Sequence, residues 1–236
     1  MTRLVRAELV KLRTVRTLLW IVLALAVLVL IPLISIAAAS GALNNPADHR
    51  SVARIAAIAV VFSLLLGIII VGAEGSNGTI TQTFLVAPVR ERVLAAKAFA
   101  AAVIGVLLGV LAEVIVLLVG VPGASLKVGE TWGVLGGVLL ACAVAGPLGV
   151  GVGALFHRQG PGIVVTLIWL LIAENILSLA LRDRIKYMPA HVFAAAVSGE
   201  GGHEDLLSSS GGAVGVVLYA ALFFAVGVVA MARRDV

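Results

Sequence analysis

Two acidic residues interrupt otherwise apolar stretches of this sequence and are its most conspicuous chemical groups. They are Glu113 and Glu174, and the second is followed directly by Asn175. Because an ionised carboxylate is costly in hydrocarbon, such groups line a polar path, carry a proton, or stay neutral in a hydrogen bond between two helices. Glu113 shares one face of a predicted helix with Gly109 and Gly105, so we expect it to point at another helix. The sequence leaves the functional and the structural interpretation open for both acids.

Residue types that support other chemistry are present but are not arranged for it. The sequence has no Gly-x-x-x-x-Gly-Lys phosphate loop and no Gly-x-Ser-x-Gly nucleophile elbow. His203-Glu204 begins like a zinc-binding helix, but the second histidine of that motif is missing. The single cysteine, Cys142, cannot form a disulfide within the chain. We therefore expect no catalytic residues, no metal site and no cofactor bound by this chain.

The composition excludes a water-soluble domain of this size. Of 236 residues, 61% are hydrophobic and only 12% are charged, whereas a soluble domain carries about a quarter charged residues. The apolar residues are mainly Ala, Val, Leu, Ile and Gly and arrive in long blocks, which indicates helices crossing a bilayer rather than the alternating strands of a membrane barrel. The predicted fold class is an all-α integral membrane protein.

Six stretches reach the ~20 apolar residues that a transmembrane helix needs. They are residues 18–39, 55–73, 98–121, 132–156, 163–181 and 213–232. An even number of spans puts both termini on one side, and most of the 17 Lys and Arg residues fall on that side. The positive-inside rule therefore predicts cytoplasmic termini in a multi-pass membrane protein. The net charge of +5 then reflects topology, and no nucleic-acid partner is expected.

The first seventeen residues are predicted to form a helix lying on the cytoplasmic membrane surface. Val5, Leu9 and Leu12 recur at helical spacing, with arginines toward the opposite face. Glu8 sits near this apolar stripe, where an acid is not expected. The alternative interpretation is a solvated basic lead that serves only as a topology signal.

Two loops carry local structure of their own. The cytoplasmic loop 75–97 opens with a Gly-Ser-Asn-Gly turn, and a short helix is predicted over residues 79–85 before Pro88 breaks it. The alternative is an ordinary connector. The extracellular loop 183–212 contains Pro189, which can start a short helix.

Pairs of glycines four residues apart predict where helices approach each other closely. Gly105 with Gly109, and Gly149 with Gly153, are such pairs. The fourth span is the richest in glycine, and Pro147 is expected to kink it. We expect this span to be buried between its neighbours.

Two segments follow a recognisable pattern: RAELVKLRTVRT, which runs into the first span, and EGSNGTITQTFLVAPVRERVLAAKAF, which follows the second span. Both resemble segments of the permease subunits of ABC transporters, specifically the ABC-2 type common in bacteria. That family typically shows an acid, a Gly-Thr, a short helix, a proline with nearby basic residues, and a lysine entering the third span. The matching residues here are Glu74, Gly78, Thr79, Pro88, Arg90 and Lys97. A fifth span with Glu174, followed by KYMP, also looks like many actinobacterial members.

The resemblance implies that the loop between the second and third spans is a coupling helix docking on a separate ATP-binding subunit. The residues implied in that contact are Gly78, Thr79, Thr83, Phe84, Pro88, Arg90 and Glu91. ATP and Mg²⁺ are then bound by the partner, and two permease chains, identical or different, work with two ATPase chains in the bacterial cytoplasmic membrane. The expected function is export of a lipid, a peptide or drug-like amphiphile, or an ion.

Two other classes of function remain open from the residues. One is a proton-coupled secondary transporter or channel that uses Glu113 and Glu174. It would work without an ATPase, although six spans without a detectable repeat are few for that class. The other is a membrane scaffold that transports nothing.

Overall fold

Six helical segments are long and apolar enough to cross a membrane. The structure is a computed structural model and describes residues 16–39, 46–76, 90–199 and 206–233, together with Val5, Glu8, Val10 and Gly78. Across these residues it contains helices and connecting turns and no strand, which confirms the predicted fold class. In order, the spans are Arg16–Ala38, Ala47–Ser76, Arg90–Ala124, Trp132–Phe156, Gln159–Ala180 and Ser209–Ala232.

The second and third spans are longer than the apolar stretches that predicted them. A helix over Pro46–Ala53 and a 3-10 turn over Arg54–Ala57 lead directly into the helix Ile58–Ser76, so part of the predicted loop before this span is helical. The third span is one helix of 35 residues, about 52 Å long at 1.5 Å per residue. Because the hydrocarbon core is only ~30 Å thick, this helix extends beyond the membrane.

The fifth span is not a uniform α-helix. Its α-helical parts, Gln159–Ile168 and Glu174–Leu181, are joined by a π-helical turn over Trp169–Ala173. Such turns are rare and often occur where a helix serves a specific site. Beyond a 3-10 segment, a second short helix covers Pro189–Ala196, and we call it the loop helix. It begins at the predicted proline, whose fixed φ suits the first turn.

The fourth span is the centre of the bundle and packs against the second, third and sixth spans. In its most apolar stretch 67% of the residues are buried, against 6% in the fifth span. The fourth span therefore lies between its neighbours as expected, whereas the fifth is attached at the periphery.

Glycines make this central packing possible by letting backbones touch. A Cβ atom at Gly67 would lie 2.8 Å from the nitrogen of Val150 and 2.9 Å from the Cα of Gly149. A Cβ atom at Gly149 would overlap the carbonyl oxygen of Leu64. The second and fourth spans therefore approach more closely than any larger residue at these positions permits.

The other two neighbours of the fourth span meet it in the same way. A Cβ atom at Gly105 would overlap the carbonyl oxygen of Cys142, which also accepts a 2.7 Å hydrogen bond from Ser63 Oγ. On the sixth span, Gly227 faces Gly151 so closely that a Cβ at Gly227 would lie 2.9 Å from the Cα of Gly151. The predicted packing glycines Gly105, Gly109, Gly149 and Gly153 all lie where the fourth span meets its neighbours.

Two hydrogen bonds join the ends of neighbouring spans at one end of the bundle. Arg90 Nη1 donates to the carbonyl oxygen of Met231 over 3.0 Å, joining the start of the third span to the end of the sixth. The backbone N–H of Gln159 donates to Ser76 Oγ over 3.3 Å, joining the end of the second span to the start of the fifth. We call this the terminal end, since the first span also begins and the sixth also ends there.

Several predicted features lie outside the described residues. Of the predicted surface helix 1–17, only Val5, Glu8 and Val10, which are helical, and the first residues of the first span are described. Residues 79–89, which include the predicted coupling helix, and residues 200–205 of the predicted extracellular loop are not. The coupling helix and the surface helix stay predictions.

Replacing Gly149 by Ala should destabilise the bundle, because the added methyl group meets the Leu64 carbonyl oxygen on the second span. Overpacking of this kind typically costs about 1–3 kcal/mol. Gly136 is the matched control, since it lies on the same span and a methyl group added there would have no other atom within 4 Å; Gly136→Ala should leave stability unchanged or raise it slightly. Thermal unfolding of both variants in detergent measures the difference, and equal midpoints would show that this close approach does not limit stability.

Candidate functional site

A buried lysine binds two carboxylates at the terminal end of the bundle. Lys97 Nζ lies 3.0 Å from Glu8 Oε2 and 2.8 Å from Glu74 Oε1. Only 2% of the lysine side chain is exposed, against 9% and 11% of the two acids. A buried ammonium needs such partners, because removing it from water without them is strongly unfavourable. We call these three residues the charge cluster.

The charge cluster joins three parts of the chain that are distant in sequence. Glu8 comes from the N-terminal segment, Glu74 from the last turns of the second span, and Lys97 from the first turns of the third. Residues 77–89 connect the elements that carry Glu74 and Lys97. Glu8, the end of the second span and the start of the third span therefore meet at one buried point.

The sequence points to these residues but not to their connection. The sequence predicts that Lys97 ends the cytoplasmic loop 75–97 and enters the third span, and in the structure its buried side chain lies on the helix Arg90–Ala124. Glu74 and Lys97 stand out in the sequence only through their places in a family pattern. The usable signal is Glu8, because an acid on the apolar stripe of a helix needs a polar partner, and a buried base is one such partner.

The remaining residues of the predicted coupling contact are only partly described. Arg90 is held by the Met231 carbonyl oxygen, while Glu91 beside it is exposed. Gly78 has a φ of +67°, a left-handed conformation that glycine adopts without strain, and a Cβ there would meet nothing. The positions Thr79, Thr83, Phe84 and Pro88 lie outside the described residues.

Glu174 is buried and holds the start of the loop helix. Both of its carboxylate oxygens accept from the backbone N–H of Ala190 at 3.0 Å, and Oε1 also accepts from Trp169 Nε1 at 3.2 Å. His191 Nδ1 lies 3.8 Å from Oε2. Because no side chain of the loop helix caps its own first turn, Glu174 supplies an acceptor that the free N–H groups there need.

These contacts favour the structural interpretation of Glu174. Its carboxylate is 2% exposed and already engaged by groups from its own span and the loop helix. The predicted polar neighbours do not extend it into a path. Asn175 Nδ2 donates to the Leu171 carbonyl oxygen and Ser178 Oγ donates to that of Asn175, so both bonds stay within the fifth span.

Glu113 is buried on the third span, as its shared face with the two glycines predicts. It is 9% exposed, and its Oε1 has no hydrogen-bond partner among the described residues. Gly109, one turn earlier, lies against the fourth span, where an added Cβ would lie 3.2 Å from Cys142 Sγ. The contacts described for Glu113 and Glu174 do not join them into one proton path.

A buried histidine lies at the opposite end, and no sequence pattern singles it out. His49 is fully buried; its Nδ1 accepts from the backbone N–H of Lys127 over 3.4 Å, and its Nε2 lies 3.8 Å from Glu130 Oε2. This ties the entry of the second span to the connection between the third and fourth. Within the described parts of the chain, no three His, Cys, Asp or Glu residues group as metal ligands would.

Glu174→Ala should loosen the loop helix, because it leaves the partly buried Ala190 N–H without an acceptor, a loss of about 1 kcal/mol. Glu174→Gln keeps an acceptor oxygen and should behave nearly as the wild type. Asn175→Ala is the control, since its bond stays within one helix. The measurement is the rate of tryptic cleavage after Arg184 and Lys186, which should rise only in the alanine variant at position 174. A large effect of Gln at equal fold stability would instead point to a titrating role.

Lys97→Met should destabilise the terminal end, because it leaves the carboxylates of Glu8 and Glu74 buried without their ammonium partner. Breaking a buried ion pair from one side costs about 3–5 kcal/mol. Arg92→Met is the control, since Arg92 is exposed on the first turn of the same helix. Thermal unfolding compares the two, and equal midpoints would show that the charge cluster does not contribute to stability.

A comparison with known protein families identifies the family of this chain. A family model described as ABC-2 family transporter protein matches residues 4–173 of the 236, a range that contains the charge cluster and the first four spans. No curated protein sequence matches the chain. Since the family model covers well over half of the sequence, including Glu8, Glu74 and Lys97, the chain belongs to the ABC-2 family of membrane transporter proteins.

Proposed function

We propose that this chain is the transmembrane subunit of an ATP-driven exporter whose ATP-binding subunit is a separate protein. The partner binds ATP and Mg²⁺, and the chain itself supplies the path through the bacterial cytoplasmic membrane. Both termini and the loop 75–97 lie on the cytoplasmic side, where the partner docks. A second permease chain completes the transporter.

The observation that carries this proposal is the charge cluster. A loop that receives force from a partner must pass it to the spans and not absorb it by bending. Here the elements on either side of residues 77–89 meet at Lys97, which binds Glu74 before the loop and belongs to the helix after it. A displacement of the loop therefore moves the second and third spans together.

Two further contacts extend the connection to other parts of the bundle. The ion pair between Glu8 and Lys97 joins the N-terminal segment to the third span. The hydrogen bond from Arg90 to the Met231 carbonyl oxygen joins the third span to the end of the sixth. The second, third and sixth spans in turn pack on the fourth through glycine contacts. Such a unit suits rigid-body motion, in which packed helices move together.

The apolar outer surface of the bundle is consistent with the two other proposed partners, the lipid bilayer and a second permease chain. Large side chains on the first span, such as Trp20, Leu23 and Ile31, are about half or more exposed, as are Leu171 and Leu179 on the fifth. A surface of this kind is stable against lipid or against another permease chain. The contacts of Glu174 weigh against the proton-coupled alternative, because its carboxylate is engaged in holding the loop helix.

The proposal predicts that a soluble ATP-binding protein co-purifies with the tagged chain from native membranes in mild detergent. Replacing residues 79–85 by a Gly/Ser linker of equal length should abolish its recovery. Equal-length replacement of residues 201–205, in the loop between the fifth and sixth spans, is the control and should leave recovery unchanged. Mass spectrometry identifies the partner through its nucleotide-binding motifs. If the folded chain brings down no ATPase, the exporter proposal is wrong.

A further inference from the structure

The fifth span presents more of its surface to the outside than any other span. Only 6% of its most apolar stretch is buried, against 22% to 67% in the other five spans. Exposed side chains recur along it at intervals of three or four residues, which places them close to one face of the helix. They are Val164, Ile168, Ile172, Asn175 and Leu179. We call these five residues the outer stripe.

Asn175 places an amide in the apolar outer stripe, well inside the membrane. Counted from Ile163, where the apolar stretch begins, it lies about 18 Å along the helix axis, within the ~30 Å of hydrocarbon. Its exposed side chain forms one hydrogen bond among the described residues, from Nδ2 to the Leu171 carbonyl oxygen. An amide has further donor and acceptor capacity, and leaving that capacity unused in hydrocarbon is unfavourable. The outer stripe therefore suits a polar partner better than lipid.

This amide distinguishes the outer stripe from the outward surfaces of the other spans. Among the described residues of the six predicted apolar stretches, Asn175 is the one exposed side chain that carries an amide or a charge. Glu113 and Glu174 are buried within the bundle. The exposed hydroxyl of Ser35 on the first span donates to the Ile31 carbonyl oxygen of its own helix, which uses its single donor. The other outward surfaces thus carry only groups that lipid accommodates.

A second copy of this chain supplies the group that Asn175 lacks. Two copies inserted in the same direction are related by a two-fold axis along the membrane normal, and a residue near that axis meets its own counterpart. Because an amide both donates and accepts, two copies of Asn175 can pair with each other through two hydrogen bonds. Ile172 and Leu179, one turn to either side, then pack around this pair, an arrangement of polar and apolar contacts that holds membrane helices together.

We propose that the outer stripe is the contact between two copies of this chain, with paired Asn175 side chains at its centre. The two adjacent polar residues of the fifth span then serve opposite sides of it. Glu174 binds the loop helix of its own chain, and Asn175 binds the second copy. That this pair of chains is the permease pair of the exporter rests on the proposed function, whereas the self-association does not.

Cysteine cross-linking in native membranes tests which face meets the second copy. Ile172→Cys and Leu179→Cys place a thiol on either side of Asn175, and oxidation by copper phenanthroline should link two copies that carry different tags. The natural Cys142 is buried, so the unsubstituted chain gives the background. Leu23→Cys on the first span and Leu118→Cys on the third are the controls, since both side chains are exposed outside the outer stripe. They should give no linked dimer above that background.

Asn175→Leu tests the amide itself, because it keeps the size of the side chain and removes its hydrogen bonds. We expect the dissociation constant of the dimer to rise about tenfold, equivalent to about 1.4 kcal/mol. The measurement is energy transfer between differently labelled copies, diluted in lipid vesicles without an ATPase. Asn175→Gln keeps an amide and should retain most of the association, and Ser178→Ala is the control, since Ser178 Oγ donates within its own helix. Unfolding midpoints verify that the variants fold.

Four results would overturn the proposal. Absence of linking at Ile172 and Leu179 would mean that lipid covers the outer stripe, and equal linking at the control positions would mean random collision. A linked product that contains a different protein would show that the partner is not a second copy. Unchanged association of Asn175→Leu would show that the amide does not hold the contact. Because neither measurement involves the ATPase, failure here leaves the exporter proposal standing, and a failed pull-down leaves this contact standing.

Discussion

Backbone contact along the fourth span is the constraint on which the rest of this structure depends. Lipid does not drive apolar helices together, so spans associate where small residues permit close packing and interhelical hydrogen bonds. Gly149, Gly105 and Gly151 let three different neighbours reach the same helix, and Ser63 adds a hydrogen bond to the carbonyl oxygen of Cys142. The second, third, fourth and sixth spans thereby form one closely packed unit.

The fifth span lies outside this unit, and this difference accounts both for the contacts of Glu174 and for an apolar cavity between the fifth span and the rest of the bundle. A peripheral span needs a specific attachment, which the carboxylate provides by accepting from the first turn of the loop helix. The same carboxylate accepts from Trp169, at the start of the π-helical turn. Between this attachment and the terminal end, the fifth span leaves a space lined by carbon. The contacts of Glu174 thus favour an anchoring role over a role in transport.

At the terminal end, buried ion pairs hold the elements together, whereas between the spans close packing at glycines does so. Burying Lys97 and its two acids gains little stability compared with an apolar replacement, because desolvation offsets most of the attraction. What the cluster provides is specificity, since an ammonium group out of water accepts only the arrangement that brings both carboxylates to it. This fixes Glu8, Glu74 and Lys97 in one geometry, as the proposed coupling through residues 75–97 requires.

The sequence by itself determined the membrane class, the six spans, the buried fourth span and the start of the loop helix at Pro189, because these follow from local composition, glycine spacing and backbone preference. The inward direction of Glu113 followed in the same way from helical periodicity. The partners of Lys97, the role of Glu174 and the burial of His49 were decided only by the tertiary structure. Each depends on residues 16 to 89 positions apart, and no local pattern specifies which distant group meets a buried charge. The tertiary structure alone also decides the cavity, since it arises from a gap between spans whose sequences are equally apolar.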